Sequence, residues 1–212
     1  MQTSPDPARA APIAVRVLDP RNPAERDALA FLLNRIGEAK AYDVGALVYR
    51  RLRGGAADAG ATGRHGFADS FEEADEFVPF GWKLANEGDF AALRETAADG
   101  RSTVLGLTAY GGRGGEVARR LIGLAPGRYR LGYQSGNLPG QRDDRPIVAL
   151  ACVERPETLL ASVPAVAGQT AAEVRIPGAC ARQWLTVRMS GSGTQPAQSP
   201  WIDQLRLERI GA

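Results

Sequence analysis

Histidine and lysine are nearly missing from this chain, and cysteine is scarce. Among 212 residues there is one histidine, His65, and two cysteines, Cys152 and Cys180, while lysine occurs only at Lys40 and Lys83. One histidine and two cysteines cannot assemble four soft ligands without carboxylate help, which excludes an ordinary zinc site. Neither cysteine stands in a Cys/His nucleophile signature, and His65 lies in a glycine-rich stretch that suits an exposed turn better than a general base. The formal net charge is only +2 and there is no basic run. That is too little positive charge for the counterion release on which nonspecific nucleic-acid binding depends, so a nucleic-acid partner is not expected. No run of 18 apolar residues is present, which excludes a membrane-spanning helix. Met1–Ala11 lacks a charged region followed by an apolar one, so no intact signal peptide is read there. The two remaining options are a cytoplasmic protein or one whose export signal lies outside this sequence.

Glycine and proline are plentiful, at 25 and 14, against 44% hydrophobic and 24% charged residues. This composition fits a globular chain with many turns, mainly β. Residues 1–22 read as a disordered or extended lead-in, with a short alternating stretch over Ile13–Leu18 that suits a strand or an arm. Asn22-Pro23 followed by Glu25 is a helix start: the Asn side chain accepts amide hydrogen bonds, proline tolerates the first helical position, and a carboxylate suits the positive end. Ala28, Leu29, Leu32, Leu33 and Ile36 recur at helical spacing, and a second helix near Asp43–Arg53 carries Val44, Leu47, Val48 and Leu52. The two make a helical hairpin over 23–53. One hairpin cannot bury its own apolar face, so it must pack on the β-domain, on a second copy or on residues outside this sequence. Residues 54–65 (GGAADAGATGRH) read as a linker.

From residue 66 to 212 the pattern is of short strands separated by Gly, Pro, Asp and Asn clusters. The predicted strands lie near 67–71, 77–84, 90–95, 102–110, 116–124, 129–135, 147–154, 158–163, 171–176, 183–189 and 203–210. Alternation is plain where Leu105, Leu107 and Ala109 oppose Val104, Gly106 and Thr108, and where Leu205 and Leu207 oppose Arg206 and Glu208. Such a series predicts two stacked antiparallel sheets, with jelly-roll and immunoglobulin-like topologies both open. Cys152 and Cys180 fall at strand edges, where a disulfide and a pair of buried thiols are both compatible with the spacing. The acidic run Glu72, Glu73, Asp75, Glu76 reads as a solvated loop rather than a glycosidase pair, because nothing gives its members different environments. Gly111–Gly115 lacks the Lys-Ser/Thr of a phosphate loop and reads as a hairpin turn.

Three segments carry a resemblance. Pro79-Phe80-Gly81-Trp82, then Val117–Leu124 running into Leu124-Ala125-Pro126-Gly127-Arg128-Tyr129-Arg130-Leu131, and finally Trp201-Ile202-Asp203-Gln204-Leu205-Arg206-Leu207 together resemble carbohydrate-binding modules of the family 4/9 type. The chain departs from that pattern at Arg119, where a glutamine is usual, at Gly66-Phe67-Ala68-Asp69 in place of the opening motif, and at Gln204, where the closing motif has a second aspartate. The resemblance implies a jelly-roll β-sandwich that binds a glycan and does not catalyse. Weakly, Leu33–Leu52 also resembles one tetratricopeptide-type unit.

On this reading no cofactor is expected, apart from a structural calcium ion of the kind jelly rolls often hold, with Asp69, Glu72 and Asp203 as its ligand candidates. Sugar rings stack on aromatic faces while polar side chains bond their hydroxyls, so Tyr110, Tyr133 and Trp201, with Arg113, Gln134 and Asn137, are the candidate ligand-binding residues. Trp82 and Trp184 are expected in the core. The resulting expectation is a noncatalytic accessory protein of the bacterial envelope, periplasm or secreted space that binds polysaccharide, such as an exopolysaccharide, with a protein partner engaged through the hairpin. The competing expectation is a structural protein-interaction module without sugar binding.

Overall fold

The computed structural model describes residues 6–53, 66–74, 77–191 and 199–211. The predicted linker 54–65, with His65, lies outside the described residues, as do Asp75 and Glu76. The chain divides into two compact units, residues 1–58 with 75–82, and residues 59–74 with 83–212.

The first unit holds three helices, α1 (Pro7–Val17), α2 (Pro23–Glu38) and α3 (Tyr42–Leu52). The expected lead-in and the strand over Ile13–Leu18 are thus corrected: most of that segment is α1. Asp6-Pro7 repeats the start signal of Asn22-Pro23, with Asp6 accepting from the Ala8 amide at 3.0 Å and Asn22 from the Ala24 amide at 3.1 Å. Alanine supplies much of the segment and favours helix, and a short apolar alternation does not by itself separate the two periods. Ala11 is fully buried, and Arg51 of α3 donates to the Leu18 carbonyl just past α1. Leu29, Leu33 and Ile36 of α2 and Ala46, Val48, Tyr49 and Leu52 of α3 are buried, whereas Leu47 is 40% exposed and Ala28 faces solvent.

Pro79-Phe80 belongs to this helical unit rather than to the sandwich, which corrects the strand predicted over 77–84; only β2 (Lys83–Leu84) remains of it. The Phe80 ring stacks on Tyr49 with centroids 5.2 Å apart. A Cβ at Gly45 would lie 2.9 Å from Phe80 Cε2, and one at Gly37 would lie 3.2 Å from Pro79 Cδ. The two helical glycines open the space into which Pro79 and Phe80 fit. Helix α1 and this segment therefore give the hairpin the apolar cover it lacks alone.

The second unit is an antiparallel β-sandwich. Beside β2 its strands are β1 (Gly66–Asp69), β3 (Phe90–Thr96), β4 (Thr103–Ala109), β5 (Gly114–Ile122), β6 (Gly127–Gly136), β7 (Ile147–Cys152), β8 (Leu159–Pro164), β9 (Gly168–Ile176), β10 (Gln183–Ser190) and β11 (Trp201–Arg209). One sheet runs β3-β4-β11-β6-β9 with β1 also on β11, and the other runs β2-β5-β10-β7-β8. From β4 to β7, and again from β8 to β11, each successive strand crosses to the opposite sheet. Leu105, Leu107, Leu131, Val148, Leu150, Leu185, Val187, Ile202, Leu205 and Leu207 are fully buried between the sheets. Each such side chain contributes roughly 1.5–3 kcal/mol by leaving water. Cys152, at the end of β7, is joined by a disulfide to Cys180, just before β10, with Cα atoms 5.5 Å apart. Beside it, buried Gln183 accepts from the Leu124 amide and donates to the Cys180 carbonyl.

Candidate functional site

Strand alternation divides β6 cleanly. Tyr129, Leu131, Tyr133 and Ser135 point into the sandwich, and Arg128, Arg130, Gly132, Gln134 and Gly136 point outward. Cross-strand partners share a face, so the register defines rows across the outer surface of the β1-containing sheet. One row is Leu93, Gly106, Trp201, Gly136, and the next is Glu95, Val104, with Asp203 and Gln134 on its far side. The rows that follow include Ala68, Arg206, Gly132 and Ala171.

Glycines shape this surface. A Cβ at Gly136 would lie 2.5 Å from Trp201 Cζ2 and 2.6 Å from Cε2, so the half-buried indole lies across residue 136. The Glu95 carboxylate lies over Gly106 on the other side of Trp201. Leu93, 46% exposed, completes the row. Further along, the Arg206 side chain lies over Gly132, with its Nε 3.5 Å from where a Cβ would be. The absence of three side chains thus lets an indole, a carboxylate and a guanidinium lie along the sheet rather than stand up from it.

Between Asp203 and Arg206 strand β11 bulges, and Gln204 takes a left-handed backbone, φ 49°. Here β11 passes from pairing with β4 to pairing with β1. The extra residue leaves an open cavity of about 270 Å³ lined by Ala68, Asp69, Ser70, Gln204, Leu205 and Arg206. The Gln134 amide donates to the Gln204 side-chain oxygen at 3.0 Å, holding both on the outer face.

The predicted ligand-binding residues do not all gather here. Trp201 and Gln134 do, and exposed Asn137 follows β6 at the Trp201 end, donating to the Ser199 carbonyl at 3.4 Å. Tyr110, half-exposed, follows β4 at that same end. Tyr133 is corrected: it is 1% exposed, its hydroxyl donates to the Val163 carbonyl, and burial pushes its phenol well above the usual range. It follows Gly132 on the alternating strand and so must point inward. Arg113 is tied up as well, bonded to Glu87, 3.4 Å from Asp89 and over the Phe90 ring, and the Glu87 hydrogen bond raises its pKa further. Trp184 is only half-buried, with the Arg119 guanidinium 4.6 Å over its ring, while Trp82 is 5% exposed. Sequence reasoning missed Glu95, Leu93 and Arg206. The signal that marks them is the glycines on the outward positions, Gly106 and Gly136 opposite Trp201 and Gly132 opposite Arg206.

The three proposed calcium ligands share one neighbourhood but do not form a cage. Asp69 pairs with buried Arg120 through one oxygen at 2.6 Å and accepts from the Phe71 amide through the other. Glu72 accepts from the Thr103 amide, and Asp203 from the Gln204 amide. Among the described residues, the only three potential ligand atoms within 4.8 Å of one another belong to Cys152, Glu154 and Cys180, two of them spent in the disulfide. At Asp69 the Arg120 guanidinium supplies the positive charge. Asp203 is 7% exposed, and its carboxyl is held above the ordinary range first by burial, then by Glu72, Asp69 and Asp99.

No family model and no curated protein matches the chain. Solved structures similar to it include the C-terminal family 22 carbohydrate-binding module of Clostridium thermocellum Xyn10B, at 15% identity over 70% of this chain and 96% of that one, TM-score 0.44. A CBM4 structure is similar at 14% identity over 73% and 93%, TM-score 0.40, and a xylan-binding domain from CBM 22 at 14% over 69% and 95%, TM-score 0.40.

Proposed function

We propose that the β-sandwich is a noncatalytic carbohydrate-binding module whose ligand lies on the outer face of the sheet containing Trp201. The observation that carries this reading is the half-buried indole laid across Gly136, its outer face open, with Glu95, Gln134 and Gln204 around it. A flat aromatic face offers a sugar ring an apolar C–H contact, and the amides and carboxylate offer its hydroxyls both donors and acceptors. The half-buried indole is held on a sheet, so little side-chain freedom is lost when a ligand contacts its outer face.

Binding without catalysis is favoured because, among the described residues, the face carries no histidine or cysteine, and Asp69 beside Ser70 is committed to Arg120. The disulfide favours an oxidising compartment, so the envelope, periplasm or secreted space is the proposed location and exopolysaccharide the proposed kind of ligand. For the helical unit we propose protein attachment, supported by Ile13, Val17 and Phe31, which are 67%, 71% and 68% exposed.

Affinity electrophoresis through gels cast with polysaccharides tests the reading. Retardation that is lost in Trp201→Ala, with the melting temperature preserved, is the expected result. A protein that no glycan retards, but that captures a stable protein partner through the sandwich, would establish the docking module instead.

A further inference from the structure

The outer face is electrically asymmetric along β11. At the Trp201 end its neighbours are Leu93, Glu95 and Gln134, with no cationic side chain among them. Past the bulge, the outward positions of β11, β6 and β9 carry Arg206, Arg128, Arg130 and Arg175 against Glu208 and Glu173, four positive charges to two negative. Arg128 is bonded to Glu173 at 2.7 Å, and Arg206 lies 3.8 Å from Glu208. Among the described residues no carboxylate lies within ion-pair distance of exposed Arg130 or Arg175, although Arg130 stands across from Glu208 on β11 and from Glu173 on β9, whose carboxyl feels its charge. Arg206 also lines the cavity at the bulge, with Ser70, Gln204 and Asp69, whose carboxylate is paired with Arg120.

We infer that the site takes an anionic glycan, with a neutral sugar face on Trp201 and an acidic substituent, carboxylate or sulfate, held by Arg206 and Arg130. This rests on the carbohydrate-binding reading above. Along a strand rising about 3.3 Å per residue, Trp201 and Arg206 stand roughly 15 Å apart, so the ligand spans more than one sugar. The in-plane donors of a guanidinium form a fork that matches a planar carboxylate or two sulfate oxygens. Glu95 beside the indole repels the same charge there, which orients the chain on the face. The low net charge of the whole protein argues against a general polyanion surface.

The test uses matched polymers at low ionic strength: polygalacturonate and its carboxyl-reduced product, dextran sulfate and dextran, and single-stranded DNA. At least one acidic polymer is expected to bind ten-fold or more tightly than its neutral counterpart. R130Q/R206Q should bring it to the neutral level without lowering the melting temperature, and W201A should weaken both members of the pair. Preference for the carboxylated or the sulfated polymer identifies the substituent. Equal binding of acidic and neutral members overturns the inference while leaving a carbohydrate-binding module. Binding of DNA as tight as that of the acidic glycans, and indifferent to W201A, overturns it in favour of a polyanion surface. If no polymer, acidic or neutral, is retained, the carbohydrate reading itself fails.

Discussion

The indole of Trp201 occupies the space that a side chain at residue 136 would fill, 2.5 Å from where its Cβ would stand. The platform therefore depends on Gly136 as much as on the tryptophan. Gly136→Ala should lift the indole off the sheet and weaken glycan binding nearly as much as Trp201→Ala, which should lose about 1–3 kcal/mol on the scale of aromatic stacking against a base. Isothermal titration with a retained oligosaccharide, beside thermal melts, checks this. A Gly136→Ala protein that binds like the parent would show that the indole face is not the contact surface.

Tyr133 behaves differently, since it is inside. Tyr133→Phe removes a buried hydroxyl from the Val163 carbonyl and should cost about 0.5–1.5 kcal/mol of stability, somewhat more if that carbonyl is left unpaired. Glycan affinity should not change. Denaturant melts and titration on the same sample separate the two effects, and a loss of affinity at unchanged stability would return Tyr133 to the binding face.

The disulfide closes a loop with a sequence separation of 28. Its removal by Cys152→Ala with Cys180→Ala should lower stability by about 3–4 kcal/mol in the chain-entropy treatment. Urea unfolding of the variant measures the loss. Free thiols detected by alkylation of the untreated, denatured parent would contradict the bond.

Arg120 and Asp69 form an ion pair whose side chains are 5% and 16% exposed. Arg120→Gln leaves the carboxylate largely out of water without its partner, and should cost about 3–5 kcal/mol, the lower end being favoured by the residual exposure of Asp69. With the guanidinium in place, the parent should melt at the same temperature in millimolar calcium and in chelator. A clear rise with calcium would mean that Asp69, Glu72 and Asp203 rearrange around the ion.

The sandwich was legible because its strands alternate against a two-sided core: the predicted segments at 90–95, 102–110 and 129–135 coincide with strands to within two residues. The strand expectation over 77–80 rests on the β-forming apolar residues Phe77, Val78 and Phe80 around a proline that cannot donate to a ladder, and tertiary packing against Tyr49 assigns the segment to the helical unit. Helix α1 was hidden by its prolines, although Pro7 is at the helix start, where a proline costs nothing. At the site, an aromatic residue can be found by inspection, but whether it faces in or out depends on strand phase. Tyr133 and Trp201 looked equivalent, and the alternation around Gly132 and Gly136 separates them. The bulge at Gln204 shifts the phase of β11 by one residue, and no local pattern announces it.

The titration of Asp203 bears on stability. Its carboxyl is raised in the folded state, foremost by burial, against the backbone hydrogen bond from Gln204 that opposes the shift. A folded carboxyl that holds its proton more tightly than the unfolded one gives a stability contribution present at low pH and lost as pH rises from the unfolded value through the folded one. Acidification across that window should therefore relieve a penalty at this residue, against the general acid destabilisation of carboxylates paired in the fold. Asp203→Asn keeps an oxygen for the Gln204 amide and carries no charge at any pH. The variant should be more stable than the parent above the window, and the difference should vanish below it. Urea midpoints of both proteins, measured across the acidic and neutral range, read the difference directly. A variant less stable than the parent at neutral pH would mean that the Asp203 charge is held by an attraction, such as a bound cation, and not penalised by burial.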